Sequence, residues 1–307
     1  MQGTNLKEKD CMSFEGFCKC IQMDVQKIIG SKYEVIVQEI IKNNDTKRKG
    51  LIILSDESNI SPNIYLDFFY GQYEEGRRID EIEQEIISIY EKNKSNVSMD
   101  VSFFTDWNQV KERIVFKLVN FQRNEELLKD VPHFKFLDLA MVFSYLMTSD
   151  EEGNATILIR NHHLEFWNAT KDDLHRSALE NTEKLLPYEI NNMAQVLADM
   201  LPEEAEMLIK EDYSCPMYVL TNKYKLNGAA CILYQNVLKD FSQKSGTDIL
   251  ILPSSTHEVL LIPEMEGMSY QEYSQMVKEV NETQVMQEEI LSDHIYRYVR
   301  ALDKVVM

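Results

Sequence analysis

Two side chains in the C-terminal third of the chain have the chemistry of a cysteine hydrolase. Cys231 lies in the first turn of a predicted helix, where unpaired backbone N–H groups and the helix dipole favour a thiolate. His257 lies in the loop of the following hairpin and is the candidate base, with Glu258 or Asp248 to orient its ring. The apolar neighbours of Cys231 favour a second interpretation, a small buried core residue. The sequence therefore assigns no catalytic residue and leaves Cys231, His257 and Glu258 as candidates.

Three histidines, His162, His163 and His175, are the candidate ligands for a metal ion, together with nearby acidic residues. Adjacent histidines on a strand face opposite ways, so His162 and His163 could reach one ion only from an irregular loop. The sequence also contains no HExxH, CxxC or calcium-loop spacing. We therefore predict no metal ion and no cofactor.

Two short polar motifs could bind phosphate or act as a nucleophile. Asn227-Gly228 offers a single glycine at a helix start, where nucleotide-binding loops need several, so we predict a cap and a turn. Ser254-Ser255 lacks the G-x-S-x-G context of a serine nucleophile and is expected to form hydrogen bonds within its hairpin loop.

The charge of the chain restricts its partners. The 307 residues include 51 acidic and 32 basic side chains, for a formal net charge of −19. This charge repels phosphate backbones and anionic lipid, so we predict no direct nucleic-acid binding and no membrane binding. The acidic stretches, Glu203-Glu204-Ala205-Glu206 and Glu264 to Glu289, indicate solvated helix faces. Their alternative role is a surface for a basic partner protein, including DNA mimicry.

The location of the protein follows from what the sequence lacks. No apolar run approaches the roughly 20 residues that cross a bilayer, and the polar N-terminus has no signal-peptide core. The five cysteines are an odd number without a framework spacing. Reduced thiols are the simplest account of them, and we expect a cytoplasmic protein.

The first third of the sequence predicts an α+β layer over residues 1–95. Ser13 caps an amphipathic helix that ends at Gly30, and a second helix runs from Ile79 to near Asn93. The boundary is expected in the polar residues Lys92 to Asn96. Three strand-like runs lie between the helices: Tyr33 to Ile40, Gly50 to Leu54 and Asn63 to Phe69.

The second predicted domain, residues 96–307, is built around the stretch from Met217 to Pro263. A short strand is followed by an amphipathic helix that ends near Gly246. Two apolar runs, Ile249 to Leu252 and Val259 to Ile262, then predict a hairpin. The apolar helix positions have the spacing i, i+3, i+4, i+7, i+8 and i+11: Ala230, Leu233, Tyr234, Val237, Leu238 and Phe241.

Other segments of this domain have weaker patterns. Phe134 to Met147 is interpreted as one long strand of a hairpin, although its apolar run is longer than a typical strand and a helix is the alternative. Ile114 to Val119 fits a strand or the continuation of a helix from Trp107. Leu291 to Val306 fits a strand or a terminal helix. Capping motifs predict helices after Thr170 and Ser269, and a further helix is expected after Pro187.

Several motifs resemble a domain-of-unknown-function family of Firmicutes, notably gut Clostridia. They are Phe136-Leu137-Asp138-Leu139-Ala140, Ala178-Leu179-Glu180-Asn181-Thr182, Met217 to Asn222, Asn227-Gly228-Ala229-Ala230, Leu252-Pro253-Ser254-Ser255, His257-Glu258 and Glu289-Ile290-Leu291-Ser292-Asp293. The resemblance extends upstream through Tyr65-Leu66-Asp67. It implies a bacterial, cytoplasmic setting and supplies no catalytic residues.

Together these patterns predict an α+β protein with mixed or mainly antiparallel sheets and flanking amphipathic helices. No set of residues combines a nucleophile, a base and an anion hole, so we expect a non-enzymatic protein-interaction or regulatory module. The alternative is a hydrolase-like enzyme with Cys231 as nucleophile and His257 as base.

Overall fold

A computed structural model of the chain describes residues 12–55, 61–94, 102–150, 153–200, 217–267 and 269–307. Its contacts divide the chain into two compact units, residues 1–42 with 47–101, and residues 43–46 with 102–307. The predicted boundary at residue 95 and the acidic stretch at residues 203–206 lie outside the described residues. Within the described ranges, no helix combines the length and apolar character needed to cross a bilayer.

The first unit contains an antiparallel sheet with the strand order β1-β2-β3. Its core is formed by apolar side chains from both the strands and the helices. The elements are α1 (Phe14–Ile29), β1 (Tyr33–Ile41), β2 (Lys47–Ser55), β3 (Ile64–Tyr65), α2 (Leu66–Glu74) and α3 (Ile79–Asn93).

Helix α1 forms as its sequence predicts. The Ser13 side chain accepts a hydrogen bond from the backbone N–H of Gly16, and Gly30 ends the helix with a φ of 83°. Phe17 and Ile21 are buried one turn apart on the face that packs into the core. The capped, one-sided helix is confirmed.

The third predicted strand, Asn63 to Phe69, is wrong over most of its length. Only Ile64 and Tyr65 pair with β2, and helix α2 begins at Leu66. Leu66 and Phe69 are both buried, because residues three apart lie on one face of a helix. A strand would have turned these two side chains to opposite faces.

The second unit contains two antiparallel sheets with helices around them. Among the described residues, one sheet has six strands in the order β13-β12-β10-β11-β9-β8 and the other has four strands. The elements are α4 (Trp107–Val110), β4 (Ile114–Asn120), α5 (Glu125–Leu128), β5 (His133–Phe136), β6 (Leu139–Asp150), β7 (Gly153–Leu158), α6 (Asn161–Trp167), α7 (Lys171–Leu185), β8 (Tyr188–Asn192), α8 (Met193–Met200), β9 (Tyr218–Asn222), α9 (Val237–Ser245), β10 (Ile249–Leu252), β11 (Val259–Pro263), α10 (Tyr270–Thr283), β12 (Tyr296–Val299) and β13 (Lys304–Val306).

The predicted α+β class is confirmed. Every strand pairing within the described residues is antiparallel, so the sheets belong to the mainly antiparallel form of the prediction. The capping box of Thr170 and Asp173 at the start of α7 forms as predicted.

The central stretch from Met217 to Pro263 differs from the prediction in its helix. Residues Gly228–Leu233 form a 3-10 helix, and the α-helix begins only at Val237. The break lies at Asn236, whose φ of 62° is left-handed and cannot continue an α-helix. The strand before it and the hairpin after it are confirmed as β9, β10 and β11.

Three further segments are now defined. Phe134 to Met147 is not one strand, because Leu137 has a φ of 52° and the chain turns between β5 and β6. The segment from Leu291 ends in the two strands β12 and β13. Strand β8 follows Pro187, and the helix predicted there begins later, at Met193.

Candidate functional site

Cys231 lies inside the core of the second unit. It belongs to the 3-10 helix Gly228–Leu233, and its side chain is fully buried. Burial raises the pKa of its thiol to about 12, and a hydrogen bond with Tyr234 only partly offsets this. The predicted position in the first turn of an α-helix is therefore wrong, because α9 begins six residues later, and burial disfavours the thiolate.

His257 lies in the loop between β10 and β11, as predicted. Its Nδ1 lies 3.1 Å from the backbone oxygen of Lys225, and its Nε2 lies 3.5 Å from Oε1 of Glu289. The acidic side chain beside the ring is thus Glu289. Of the two predicted orienting residues, Glu258 is half-buried and Asp248 binds Arg297, at 3.0 Å.

The loops that carry Cys231 and His257 adjoin, but the two side chains have separate partners. The backbone N–H of Ala229 donates to the oxygen of Thr256, at 3.2 Å. Within the described residues, however, Cys231 and His257 share no hydrogen-bond partner. This arrangement provides no thiolate–imidazolium pair.

Two of the three candidate metal ligands adjoin, since the ring centroids of His162 and His163 lie 4.1 Å apart. His162 and His163 lie on helix α6 rather than on a strand, and His175 packs against the ring of Phe134 with centroids 4.6 Å apart. Nδ1 of His163 accepts a hydrogen bond from the backbone N–H of Arg160. Burial, and then the neighbouring His162 and Arg160, lower the pKa of His163 to about 4. No group of three potential ligands occurs in the part of the chain that the structure describes.

The two short polar motifs have structural roles. Asn227 takes a left-handed conformation before the 3-10 helix, and a Cβ atom on Gly228 would overlap the Thr221 hydroxyl and the His257 carbonyl. Glycine is required here by close packing. Ser255 Oγ accepts a hydrogen bond from the His257 backbone, at 3.0 Å, as expected for a hairpin loop.

Asp138 is a polar residue that its sequence context does not mark as a candidate for chemistry. It lies in the turn between β5 and β6, and its side chain is 15% exposed. Its carboxylate accepts three hydrogen bonds, from Ser292 Oγ at 2.7 Å, from His294 Nδ1 at 3.0 Å and from Tyr296 Oη at 2.5 Å. We call these four residues the Asp138 cluster. The signal available in the sequence was a single aspartate between the apolar runs of the motif at residues 136–140.

The chain around Ser292 is held by further hydrogen bonds. The backbone N–H of Ser292 donates to Pro253, and Asn281 donates to the Ser292 carbonyl and to the Asp293 carboxylate. Asp293 also binds Arg123, at 2.6 Å. Two of the motifs that carry the family resemblance, at residues 136–140 and 289–293, therefore meet at the Asp138 cluster.

The Asp138 cluster resembles a general base only in part. The carboxylate fixes the His294 ring, which is 58% exposed, and an imidazole oriented in this way can accept a proton. Ser292, however, donates to Asp138 rather than to His294, so no nucleophile is aligned with the base. Burial and the nearby Asp138 charge raise the pKa of Tyr296, which keeps its proton as a donor. The contacts therefore fit a structural role, in which Asp138 holds the segment of Ser292 to Tyr296 against the turn between β5 and β6. We call this role the structural lock.

Comparison with known proteins gives one match. No curated protein and no solved structure matches the chain. A family model matches residues 14–300, which is nearly the whole chain and includes both the Asp138 cluster and the Cys231 region. The family is described as a family of unknown function, DUF5688. The chain belongs to the DUF5688 family.

Proposed function

We propose that the protein is a non-enzymatic protein-interaction module of the bacterial cytoplasm, with a basic protein as its partner. The observation that carries this proposal is the state of Cys231, the strongest candidate for a nucleophile. Its thiol is fully buried with a pKa of about 12, so it stays protonated and shielded at neutral pH. A hydrolase built on this residue lacks its nucleophile.

Binding of a basic partner is supported by the charge of the molecule. The formal net charge is −19, and helix α10 presents Glu272, Glu279 and Glu282 to solvent. Val277 and Asn281 are buried on its opposite face. This exposed face of α10 is acidic, and an acidic face attracts a basic surface by complementary charge.

The experiment is binding of the purified chain to an array of immobilised basic, neutral and acidic peptides. We expect retention of basic peptides, weakening as salt screens the charges. The Cys231→Ala variant is the matched control and should bind as the wild type does, because a buried thiol takes no part. Retention without preference for basic peptides would contradict the proposal. So would cleavage of the peptides by the wild type that Cys231→Ala abolishes.

A further inference from the structure

A cavity of about 340 Å³ lies in the second unit between helix α7, strand β4 and the end of the 3-10 helix with the two residues after it. Four of its lining side chains are apolar or aromatic and two are polar. The six lining residues are Phe116, Leu179, Glu183, Leu233, Tyr234 and Gln235.

The walls of this cavity are fixed by hydrogen bonds behind them. Thr182 Oγ1 accepts from the backbone N–H of Phe116, which ties α7 to β4 at 3.1 Å. Tyr234 Oη donates to the Leu186 carbonyl, at 3.0 Å. The rings of Phe116 and Tyr234 pack edge to face with centroids 6.0 Å apart. The cavity is thus preformed, which reduces the entropy that a ligand must pay on binding.

Glu183 gives the cavity its charge. It is half-buried, and within the described residues its carboxylate has neither a hydrogen-bond donor nor a basic partner. Burial is the main cause of the raised pKa values of Cys231 and Tyr234, and the charge of Glu183 adds to both, so its field reaches the lining residue Tyr234 and the core residue Cys231. A cation bound in the cavity would be attracted by this negative charge at short range.

We propose that this cavity binds a lysine side chain of the partner protein, with the ammonium on Glu183 and the methylene stem against Leu179 and Leu233. The inference rests on the proposed interaction function and names its contact site. Lysine fits the chemistry of the lining, since long cationic side chains bury their stems on apolar surface while their heads stay paired.

The acceptors of the cavity favour lysine over arginine. Two lining side chains, Glu183 and Gln235, offer oxygens that accept no other hydrogen bond within the described part of the chain. An ammonium has three donors, which a carboxylate and an amide oxygen can satisfy. A guanidinium has five donors in a fixed plane, and several would lack partners against the apolar walls.

The test is an NMR titration of the full chain with the amides of N-acetyl-lysine, N-acetyl-arginine and N-acetyl-norleucine. We expect the lysine amide to shift the signals of residues around the cavity and the norleucine amide, which lacks the charge, to leave them unchanged. Glu183→Gln should weaken lysine binding about tenfold. Glu180→Gln removes the same charge from the same helix outside the cavity and should change it less than twofold.

Equal binding of the arginine or norleucine amide would overturn the assignment of lysine. Equal losses in Glu183→Gln and Glu180→Gln would reduce the effect to general charge attraction and also overturn it. The titrations with the three amino-acid amides use the wild-type protein, so they test the assignment of lysine even if a variant fails to fold. If basic peptides bind on the array but the lysine amide leaves the NMR signals around this cavity unchanged, only this inference is wrong. If no basic peptide binds, the proposed function itself is wrong.

Discussion

The thiol of Cys231 lies among apolar side chains, and its pKa of about 12 leaves roughly one molecule in ten thousand as thiolate at pH 8. We therefore expect iodoacetamide to alkylate Cys231 in the folded protein at least ~100-fold more slowly than in the urea-unfolded protein. Mass spectrometry of the peptide that contains Cys231 gives both rates. Rapid labelling of the folded protein near pH 7 would show an activated cysteine.

The lowered pKa of His163 makes the free energy of unfolding of the second unit depend on pH. Burial lowers its folded pKa to about 4, whereas the unfolded value is near 6.5. Below pH 6.5 the unfolded chain therefore binds a proton that the folded chain does not, so stability falls as the pH falls from 6.5 to 4. The loss is on the order of 1 to 2 kcal/mol for the partly exposed ring.

His163→Gln should remove this part of the pH dependence, because glutamine can still accept the hydrogen bond from Arg160 but does not titrate. The measurement is the free energy of unfolding from urea titrations at several pH values between 4 and 7. His162→Gln, at the exposed neighbouring position, serves as the control and should alter the curve far less. Parallel curves for the wild type and His163→Gln would refute the role of His163.

Asp138 is expected to contribute more to stability than its neighbours. Asp138→Ala leaves the buried hydroxyls of Ser292 and Tyr296 without their acceptor, at a cost of about 2 to 4 kcal/mol in the free energy of unfolding. Asp138→Asn keeps one acceptor oxygen and should cost less. His294→Ala removes only an exposed partner and should cost about 0 to 1 kcal/mol. Urea denaturation ranks the three variants, and equal losses would contradict the structural lock.

At the scale of elements, the approach of the 3-10 helix to β9 depends on Gly228. Gly228→Ala would press a methyl group against the Thr221 hydroxyl and the His257 carbonyl, and we expect a loss of about 1 to 3 kcal/mol in the free energy of unfolding. Adding Thr221→Ala should not restore stability, because the carbonyl remains. Gly71→Ala is the control with the opposite expectation, since a methyl group there meets open space in helix α2. Thermal unfolding of these variants tests the packing, and full rescue by Thr221→Ala would contradict it.

The helices with a clear cap and a one-sided apolar pattern, α1 and α7, could be predicted from the sequence because both signals are local. The breaks at Asn236 and Leu137 could not, since nothing in the apolar spacing marks a residue that will take a positive φ. The apolar run that contains Leu66 and Phe69 is too short for its spacing to separate a strand from a helix, and packing of both side chains against the core decides between them.

The candidate site shows the same limit. The sequence placed His257 in the hairpin loop, where the structure has it, but whether its ring reaches Cys231 depends on packing that residue spacing does not encode. Asp138 lies more than 150 positions from Ser292 and His294, so the cluster exists only after the sheets have formed. The resemblance motifs identified both ends of that contact without indicating that they touch.

At the scale of the whole molecule, the proposed binding function rests on the excess of acidic side chains and on the buried thiol of Cys231. The most direct measurement compares the wild type with the double variant Cys231→Ala/His257→Ala, in peptide binding and in turnover of ester and amide substrates. The variant should bind a basic peptide from the array within about twofold of the wild type, because neither residue lines the Glu183 cavity. It should also match the wild type in turnover. A wild-type hydrolytic activity that the double variant loses would contradict this account.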